Sequence, residues 1–338
     1  MNYPVQEVSS SCVLTVIVPV FNEDAVLGIF HERLVAALSQ FQAPWEVLYI
    51  DDGSSDRSLA ILHGLKQASP NVSFAALSRN FGKEAAMNAG LKFARGEAVV
   101  LIDADLQDPP ELIVDMVSVW KNGADVVNMK RRSRDGETWF KKASAHSFYR
   151  MINKLSDVTI PEDVGDFRLL SRRAVEAMNA LPEHNRFAKG LFAGIGFVQV
   201  SVEYDRHARA AGDSKWPYGK LFTLAIEGVT GFSVVPLKLA SYAGFFCAAG
   251  AFLYALVFVV KTLAVGDSVR GFPTLIVTVL MLGGLQLMAM GILGEYLGRL
   301  FMESKGRPLY LLKEYQPFDA AVAHTIALNK QREETFHD

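Results

Sequence analysis

The chain has 338 residues, half of them hydrophobic, with 34 basic and 36 acidic side chains and a net charge of -2. A charge so close to balance gives no reason to expect a nucleic-acid partner. Its two cysteines, Cys12 and Cys247, are too far apart in sequence to suggest a disulfide framework or metal cluster, which fits a reducing, cytosol-facing compartment.

The first residues, MNYPVQEVSSSC, lack the basic flank and apolar stretch of a secretion signal, so the N-terminus is expected to stay on the side of synthesis. From residue 13 to about 200, strand-like and helix-like patterns alternate. VLTVIVPV is a β-branched run, and NEDAVLGIFHERLVAALSQF follows with helical spacing. WEVLYIDDG predicts a second strand and SDRSLAILHGLKQAS a second helix, opened by Ser and Asp caps. VSFAALS and GEAVVLIDAD add two strands, with the helix KEAAMNAGLKFA between them. Such alternation predicts an α/β fold with a mainly parallel sheet covered on both faces.

Ligands in such sheets bind beyond the carboxyl ends of the strands, and the polar residues gather there. Asn22 and Glu23 follow the first strand, Asp51 and Asp52 the second, Arg79 and Asn80 the third, Asp103 and Asp105 the fourth. No G-x-G-x-x-G follows a strand, and there is no Walker A sequence and no H-E-x-x-H, which removes the dinucleotide, P-loop and zincin readings. Asp103 and Asp105 stand two apart, where extended backbone aims both side chains the same way. Paired carboxylates repel unless they share a proton or a cation lies between them. Oxygen-only ligands suit Mg²⁺ or Mn²⁺, which take one or two carboxylates plus substrate phosphates. Aspartates at strand ends also cap helices. Pro109 and Pro110 begin a helix, so Asp108 reads as its cap, and Asp51 reads as a brace of its turn.

Further along, residues 239–260 and 271–294 carry no charge, and each run exceeds the ~20 residues that cross a bilayer as helix. Two transmembrane helices are expected. The loop between them, KTLAVGDSVR, has two basic residues, while Arg206, Arg209, Lys215, Lys220 and Lys238 precede the hairpin and Arg299, Lys305, Arg307 and Lys313 follow it. That bias places both ends of the chain in the cytoplasm. Tyr218, Leu221, Phe222, Ala225, Val229 and Phe232 recur at three- and four-residue steps, which fits an interfacial helix or one packed on the soluble domain. The expected organisation is a catalytic domain over 1–212, an amphipathic segment over 213–237, a transmembrane hairpin over 238–298 and a cytoplasmic tail over 299–338.

VPVFNE, DDGSSD, RNFGKEAAMNAG and DADLQDPPE resemble, in order, the motifs of family-2 glycosyltransferases with the Rossmann-like GT-A fold. GDFRLLSRRAV, NRFAKGLFAGIGF, AGDSKW, VRGFPTL and GILGEYLGR are similar to the polyprenyl-phosphate subgroup, most closely the bactoprenol glucosyltransferases of O-antigen glucosylation, a lipopolysaccharide modification. The resemblance runs from about Val13 to Tyr310. It implies inverting transfer of a hexose from a nucleotide diphosphate, UDP-glucose in that subgroup, to the phosphate of undecaprenol in the bacterial inner membrane, by a homo-oligomer.

Residue by residue, the resemblance puts Pro19, Phe21, Glu23 and Asp52 around base and ribose, with Lys83 also on the donor side. Asp103, Asp105 and Gln107 would hold the metal and pyrophosphate. Arg131, Lys142, Arg209, Ser214 and Lys215 would bind acceptor phosphate or donor pyrophosphate. Asp166 and Arg168 would line the reacting centre with Asp105. Several readings stay open on the residues themselves. Phe21 is either core or a platform for the base; KRRSR is either a solvated loop or the source of a phosphate-binding Arg131; and Asp166 is either a catalyst or the partner of Arg168. A phosphate monoester has its second pKa near ~6, so a phosphate acceptor reaches the site already ionised and Asp166 is expected to position rather than to take a proton. Other donors (mannose, N-acetylglucosamine, aminoarabinose) fit the same motifs. A processive synthase would carry Q-x-x-R-W, absent here, and a non-catalytic sugar-nucleotide sensor would have lost the carboxylates, which are intact. Neither charge-free run carries an ion pathway. The pair Gly283 and Gly284 permits close helix packing.

Overall fold

The computed structural model describes residues 12–41, 43–132, 164–181, 188–205, 235–265 and 271–318. The chain divides into two compact units, one of 1–149, 158–216 and 308–338, the other of 150–157 and 217–307.

The first unit is an α/β sheet. Its strands are β1 (Leu14–Val20), β2 (Trp45–Asp51), β3 (Val72–Leu77), β4 (Ala98–Leu101), β5 (Val126–Arg131), β6 (Val164–Ser171), β7 (Gln199–Tyr204) and β8 (Leu312–Gln316). Its helices are α1 (Leu27–Leu38), α2 (Ser58–Ala68), α3 (Lys83–Phe93), α4 (Ile113–Lys121), α5 (Arg172–Ala180) and α6 (Ala188–Gly194), with a 3₁₀ turn at Pro110–Leu112. The spatial order is β7-β5-β6-β4-β1-β2-β3-β8. β1 pairs in parallel with β2 and β4, and β2 with β3; β6 runs antiparallel to both β4 and β5. The parallel centre is buried on both faces, so β1, β2 and β3 read as nearly continuous apolar runs rather than alternating ones.

The core lies between β1, β2, β4 and the helices α1 and α4, where Val16, Val18, Phe30, Leu34, Tyr49, Val100 and Met116 are fully covered. On the opposite face α3 comes very close to β1. A Cβ added at Gly90 would meet Ile17 Cγ2 at 2.4 Å, so no larger residue fits there without displacing the strand's side chain.

The strands begin in a polar cluster centred on the buried Thr15 and Glu46. Thr15 Oγ1 donates to Glu46 Oε1 at 2.7 Å and accepts from the backbone N–H groups of Gly96 at 2.8 Å and Arg95 at 3.2 Å. Arg172 donates to the carbonyls of Gly96 and Ala94. Burial pushes the Glu46 carboxyl upward against these partners, and it pushes the neighbouring Cys12 thiol up to about 12.

Two details of the helix starts differ from the sequence reading. No side chain caps α2 directly; Asp56, one residue further out, accepts from the Ser58 N–H at 2.9 Å. The 3₁₀ turn has Pro109 at its N-cap, without a side-chain cap, and Asp108 stands one residue before it. It is buried and accepts a hydrogen bond from the Tyr204 hydroxyl, a partner far away in sequence. Asp51 does brace its turn, with both oxygens 3.3 Å from the Ser54 N–H.

The second unit contains two long helices in contact with one another, α7 (Val235–Val265) and α8 (Phe272–Ser304). Among the described residues no helix is long and apolar enough to cross a membrane. The two spans expected from the charge-free runs are therefore not supported by the described residues. The amphipathic stretch with Tyr218 and Phe232 lies outside the described residues. The expected tail, by contrast, supplies β8, which closes the sheet edge by pairing antiparallel to β3.

Candidate active site

The strand order reverses around β1, which has β2 on one side and β4 on the other, and a cleft opens beyond the carboxyl ends of these strands, where such sheets bind ligands. It measures about 320 Å³ and is lined by Pro19 near the end of β1, Phe21 and Glu23 after it, Asp52 after β2, Asn80, Gly82 and Lys83 after β3, and Asp103 and Asp105 after β4.

Each wall is built by local chemistry. Among the described residues, two that are not glycine take positive φ, Asn22 at 55° and Leu106 at 59°, and both flank the cleft. Such conformations cost about 1–3 kcal/mol each and persist only where the surroundings enforce them. At Asn22 the enforcement is visible: its side-chain oxygen accepts from the Ser55 N–H at 2.8 Å and its own N–H donates to Ser54 Oγ at 3.0 Å, joining the loops after β1 and β2. Gly53, at φ 70°, lets the loop after β2 touch the loop after β3. A Cβ there would sit 2.3 Å from the Arg79 carbonyl carbon.

Asp52 then fixes the third wall. Its carboxylate accepts from the N–H groups of Phe81 at 2.7 Å and Gly82 at 2.9 Å. Burial pushes its pKa upward, and the two amide contacts pull the other way without cancelling the shift. Gly82 immediately precedes α3, so Asp52 also sets where Lys83, the first residue of that helix, stands.

Lys83 is the centre of the charged wall. Its ammonium lies 2.7 Å from Asp103 Oδ1, 2.8 Å from Asp103 Oδ2 and 2.6 Å from Asp166 Oδ2. Burial works against the charge on Lys83, but Asp103 and Asp166 outweigh it and hold the ammonium above the usual lysine range. Asp103 is pushed upward by burial, with Lys83 opposing and Asp166 adding to the shift. Asp103 and Asp105 do not extend a strand, as their spacing had suggested. β4 ends at Leu101 and the chain turns, with Ala104 buried between the two carboxylates and the Gln107 N–H donating to Asp105 Oδ1 at 3.1 Å. Both side chains still line the cleft, because the turn rather than the pleat aims them.

Residues 15–178 match the family model described as Glycosyl transferase family 2. The protein named Bactoprenol glucosyl transferase from Shigella phage SfV is 44% identical over 302 residues, covering 89% of this chain and 98% of its own. A prophage bactoprenol glucosyl transferase homolog of Escherichia coli K12 is 42% identical over 302 residues, with 89% and 98% covered. YkcC of Bacillus subtilis, named as an uncharacterized glycosyltransferase, is 43% identical over 300 residues, with 89% and 93% covered. The chain belongs to glycosyltransferase family 2.

The transferase therefore carries the family's GT-A sheet, and its site residues fall into three groups. Pro19, Phe21, Glu23, Asp52, Lys83, Asp103 and Asp105 converge on the cleft. Phe21 is 44% exposed there, which removes the core reading. Asp166 joins the cleft residues through Lys83, and Gln107 does so through its backbone N–H.

A second group stands deeper. Arg168 is buried, stacks 4.0 Å from the Phe192 ring and donates to the Gly165 carbonyl at 2.7 Å. Burial lowers its pKa to about 10, with Asp166 and Glu84 opposing. A guanidinium held this way braces the β6 backbone that carries Asp166. Arg131 ends β5 instead of lying in a solvated loop; its guanidinium reaches Tyr204 and lies close to where a Gly165 Cβ would stand. Tyr204 in turn donates to Asp108. This Asp108–Tyr204–Arg131 chain was missed in the sequence because its members are scattered along it. Lys142, Arg209, Ser214 and Lys215, the third group, lie outside the described residues.

Whether the site suits a divalent metal is decided by its donors. Asp103 and Asp105 offer carboxylate oxygens beside one another, which suits an ion that completes its shell with diphosphate and water. Among the described residues no three His, Cys, Asp or Glu side chains converge to hold a metal by themselves. The donor set fits a metal brought in with a phosphorylated ligand.

Proposed function

We propose that the transferase moves a hexose, glucose from UDP-glucose, onto the phosphate of a membrane polyprenol, with inversion. The observation that carries this reading is the cleft itself. An exposed aromatic, Phe21, and two carboxylates, Asp103 and Asp105, line the same pocket, a combination that suits a nucleotide base and a metal-bound diphosphate. The acceptor follows from the relatives whose names state bactoprenol as their substrate.

Asp103 and Asp105, with Gln107 beside them, would hold Mg²⁺ or Mn²⁺, which supplies charge neutralisation for the departing diphosphate. Phe21 stacks on the base, and Glu23 and Asp52 face the nucleoside. Arg131, backed by Tyr204, receives an anionic phosphate; a charge-assisted contact of this kind is roughly twice as strong as a neutral one. Asp166 orients the sugar at the reacting centre. An acceptor phosphate that arrives ionised needs no proton removed, so electrostatic positioning carries the reaction.

A lipid acceptor calls for a membrane. Phe245, Phe246, Phe252 and Leu253 of α7 are 69%, 71%, 72% and 64% exposed, and Leu287 and Met290 of α8 are 72% and 67% exposed. Apolar surface on that scale calls for a cover, and lipid suits two helices with charge-free runs. The basic residues that flank the hairpin favour both termini in the cytoplasm and the KTLAVGDSVR loop on the far side.

Purified protein incubated with Mg²⁺, polyprenyl phosphate and a panel of radiolabelled nucleotide sugars tests the reading. Label entering the lipid fraction from UDP-glucose supports it. Label entering only from another donor reassigns the sugar, and none from any donor sinks the proposal.

A further inference from the structure

A lysine is badly placed at the start of a helix. The first turn of α3 carries the positive end of the helix dipole, which disfavours a cation there. Glycine with φ 98° precedes it, and the whole turn is anchored by the Asp52 carboxylate. Local rules broken together at a cleft point to a function. The broken rule is compensated by Asp103 and Asp166, which grip the Lys83 ammonium from two sides.

We propose that Lys83 is a built-in counter-cation that keeps the free metal off Asp103 until the diphosphate arrives. Resting on the transferase reading, the inference concerns the order of loading. Both Asp103 oxygens lie within 2.8 Å of the ammonium, so a metal approaching alone must displace a cation already seated. A metal that approached Asp105 instead would meet the repulsion of the ammonium seated on Asp103. A diphosphate changes this balance. Its oxygens give the ammonium a new anionic partner and give the metal its missing ligands in the same event. Lys83 then turns from Asp103 to the phosphate, and metal and donor enter together. Asp166, released on the same movement, becomes available to the sugar. Lys83 is 39% exposed, so a swing of its long side chain toward the cleft needs no rearrangement of the backbone.

The charged neighbours on every side are consistent with such an exchange. Asp105 acts on Asp103, Arg168 faces Asp166 and Glu84, and Arg168 is fixed by Gly165 and Phe192 and cannot follow. Lys83 is the mobile cation among the described groups in contact with Asp103.

The test reads metal binding without catalysis. Full-length protein in detergent is titrated with Mn²⁺ alone, following the free-ion paramagnetic resonance signal, and then with UDP at saturating Mn²⁺. Lys83→Gln is expected to bind Mn²⁺ alone about tenfold more tightly than wild type, because a repelling charge is gone, and UDP about tenfold more weakly. Lys83→Arg, which keeps the charge, should behave like wild type toward Mn²⁺ alone. Asp105→Asn in the Lys83→Gln background should remove the gain. Mn²⁺ affinity in Lys83→Gln equal to or weaker than wild type overturns the proposal. A wild-type protein that binds no UDP at any Mn²⁺ concentration counts against the nucleotide-sugar reading, while the Mn²⁺ comparison still judges Lys83.

Discussion

The same sheet has an acidic cluster at each end, and the two behave as opposites. At the start of the strands, Glu46 is 1% exposed and its hydrogen-bond partners are the Thr15 hydroxyl and the backbone N–H of Arg95, both held in place by the sheet. At their carboxyl ends, Asp103 meets a flexible ammonium in an open cleft. Burial raises both carboxyls, so the shift alone does not distinguish them. The kind of partner does. Fixed amides make a structural joint, whereas a side-chain cation on a long stem can be exchanged for another cation.

The sharpest way to break this contrast is to remove a carboxylate from the open end. Asp105→Ala should lower transfer by at least about a thousandfold, as loss of a charge-stabilising group at a reacting centre does, with expression and folding unchanged. A chelator should do the same to the wild type. Full activity in chelator refutes the metal assignment.

A smaller effect is expected at Asp166. Asp166→Asn keeps its size and part of its hydrogen bonding and should retain about ten times more activity than Asp166→Ala. Both wild type and Asp166→Asn should lose rate below about pH 6, following the acceptor phosphate as it takes up a proton. Lys83 adds no alkaline limb up to about pH 10, because its carboxylate partners raise its pKa and it stays charged throughout. If Asp166→Asn is as inactive as Asp166→Ala and its residual rate has no acidic limb, Asp166 is a base.

Arg131→Ala should raise the KM for polyprenyl phosphate about tenfold and leave donor binding alone, and Tyr204→Phe should give a weaker version of the same change. Kinetics with each substrate varied in turn would separate the two. An equal change in both KM values contradicts the acceptor role.

Thr15→Val belongs to the closed end and should leave kcat and both KM values untouched. It takes the acceptor from the Gly96 N–H and the hydroxyl donor from the buried Glu46, and should cost about 2 kcal/mol of stability, visible in the denaturation midpoint of the sheet unit. A change in donor KM without a change in stability would erase the distinction between the two ends.

Much of this was legible in the residues. Four strands with polar ends, VPVFNE to DADLQDPPE, announce a parallel sheet and a crevice at its carboxyl edge, because buried strands are apolar along their length and stop where the polar residues begin. Pairing across distance was not legible. Lys83 and Asp166 meet only because β6 turns back antiparallel to β4 and sets Asp166 opposite the start of α3. Asp108 reads locally as a cap, and only the fold brings Tyr204 to it. LKEYQ, the sequence of β8, is short and mostly polar; its identity as a strand depends on an edge being available at β3 rather than on its own pattern.

That last strand has a consequence for the order of events during synthesis. β3 is made early, yet its partner follows both long helices, so its edge waits while everything from Leu77 to Leu312 is translated. At roughly 5–20 residues per second the wait is on the order of 10–50 s. An uncovered strand edge is a template for pairing with another chain, and nascent chains stalled before β8 should be captured by chaperones more readily than chains stalled after it. When β8 does arrive, Lys66 donates to the Pro317 carbonyl and Arg95 to the Phe318 carbonyl, so its arrival is also the step that seals the enzyme's sheet.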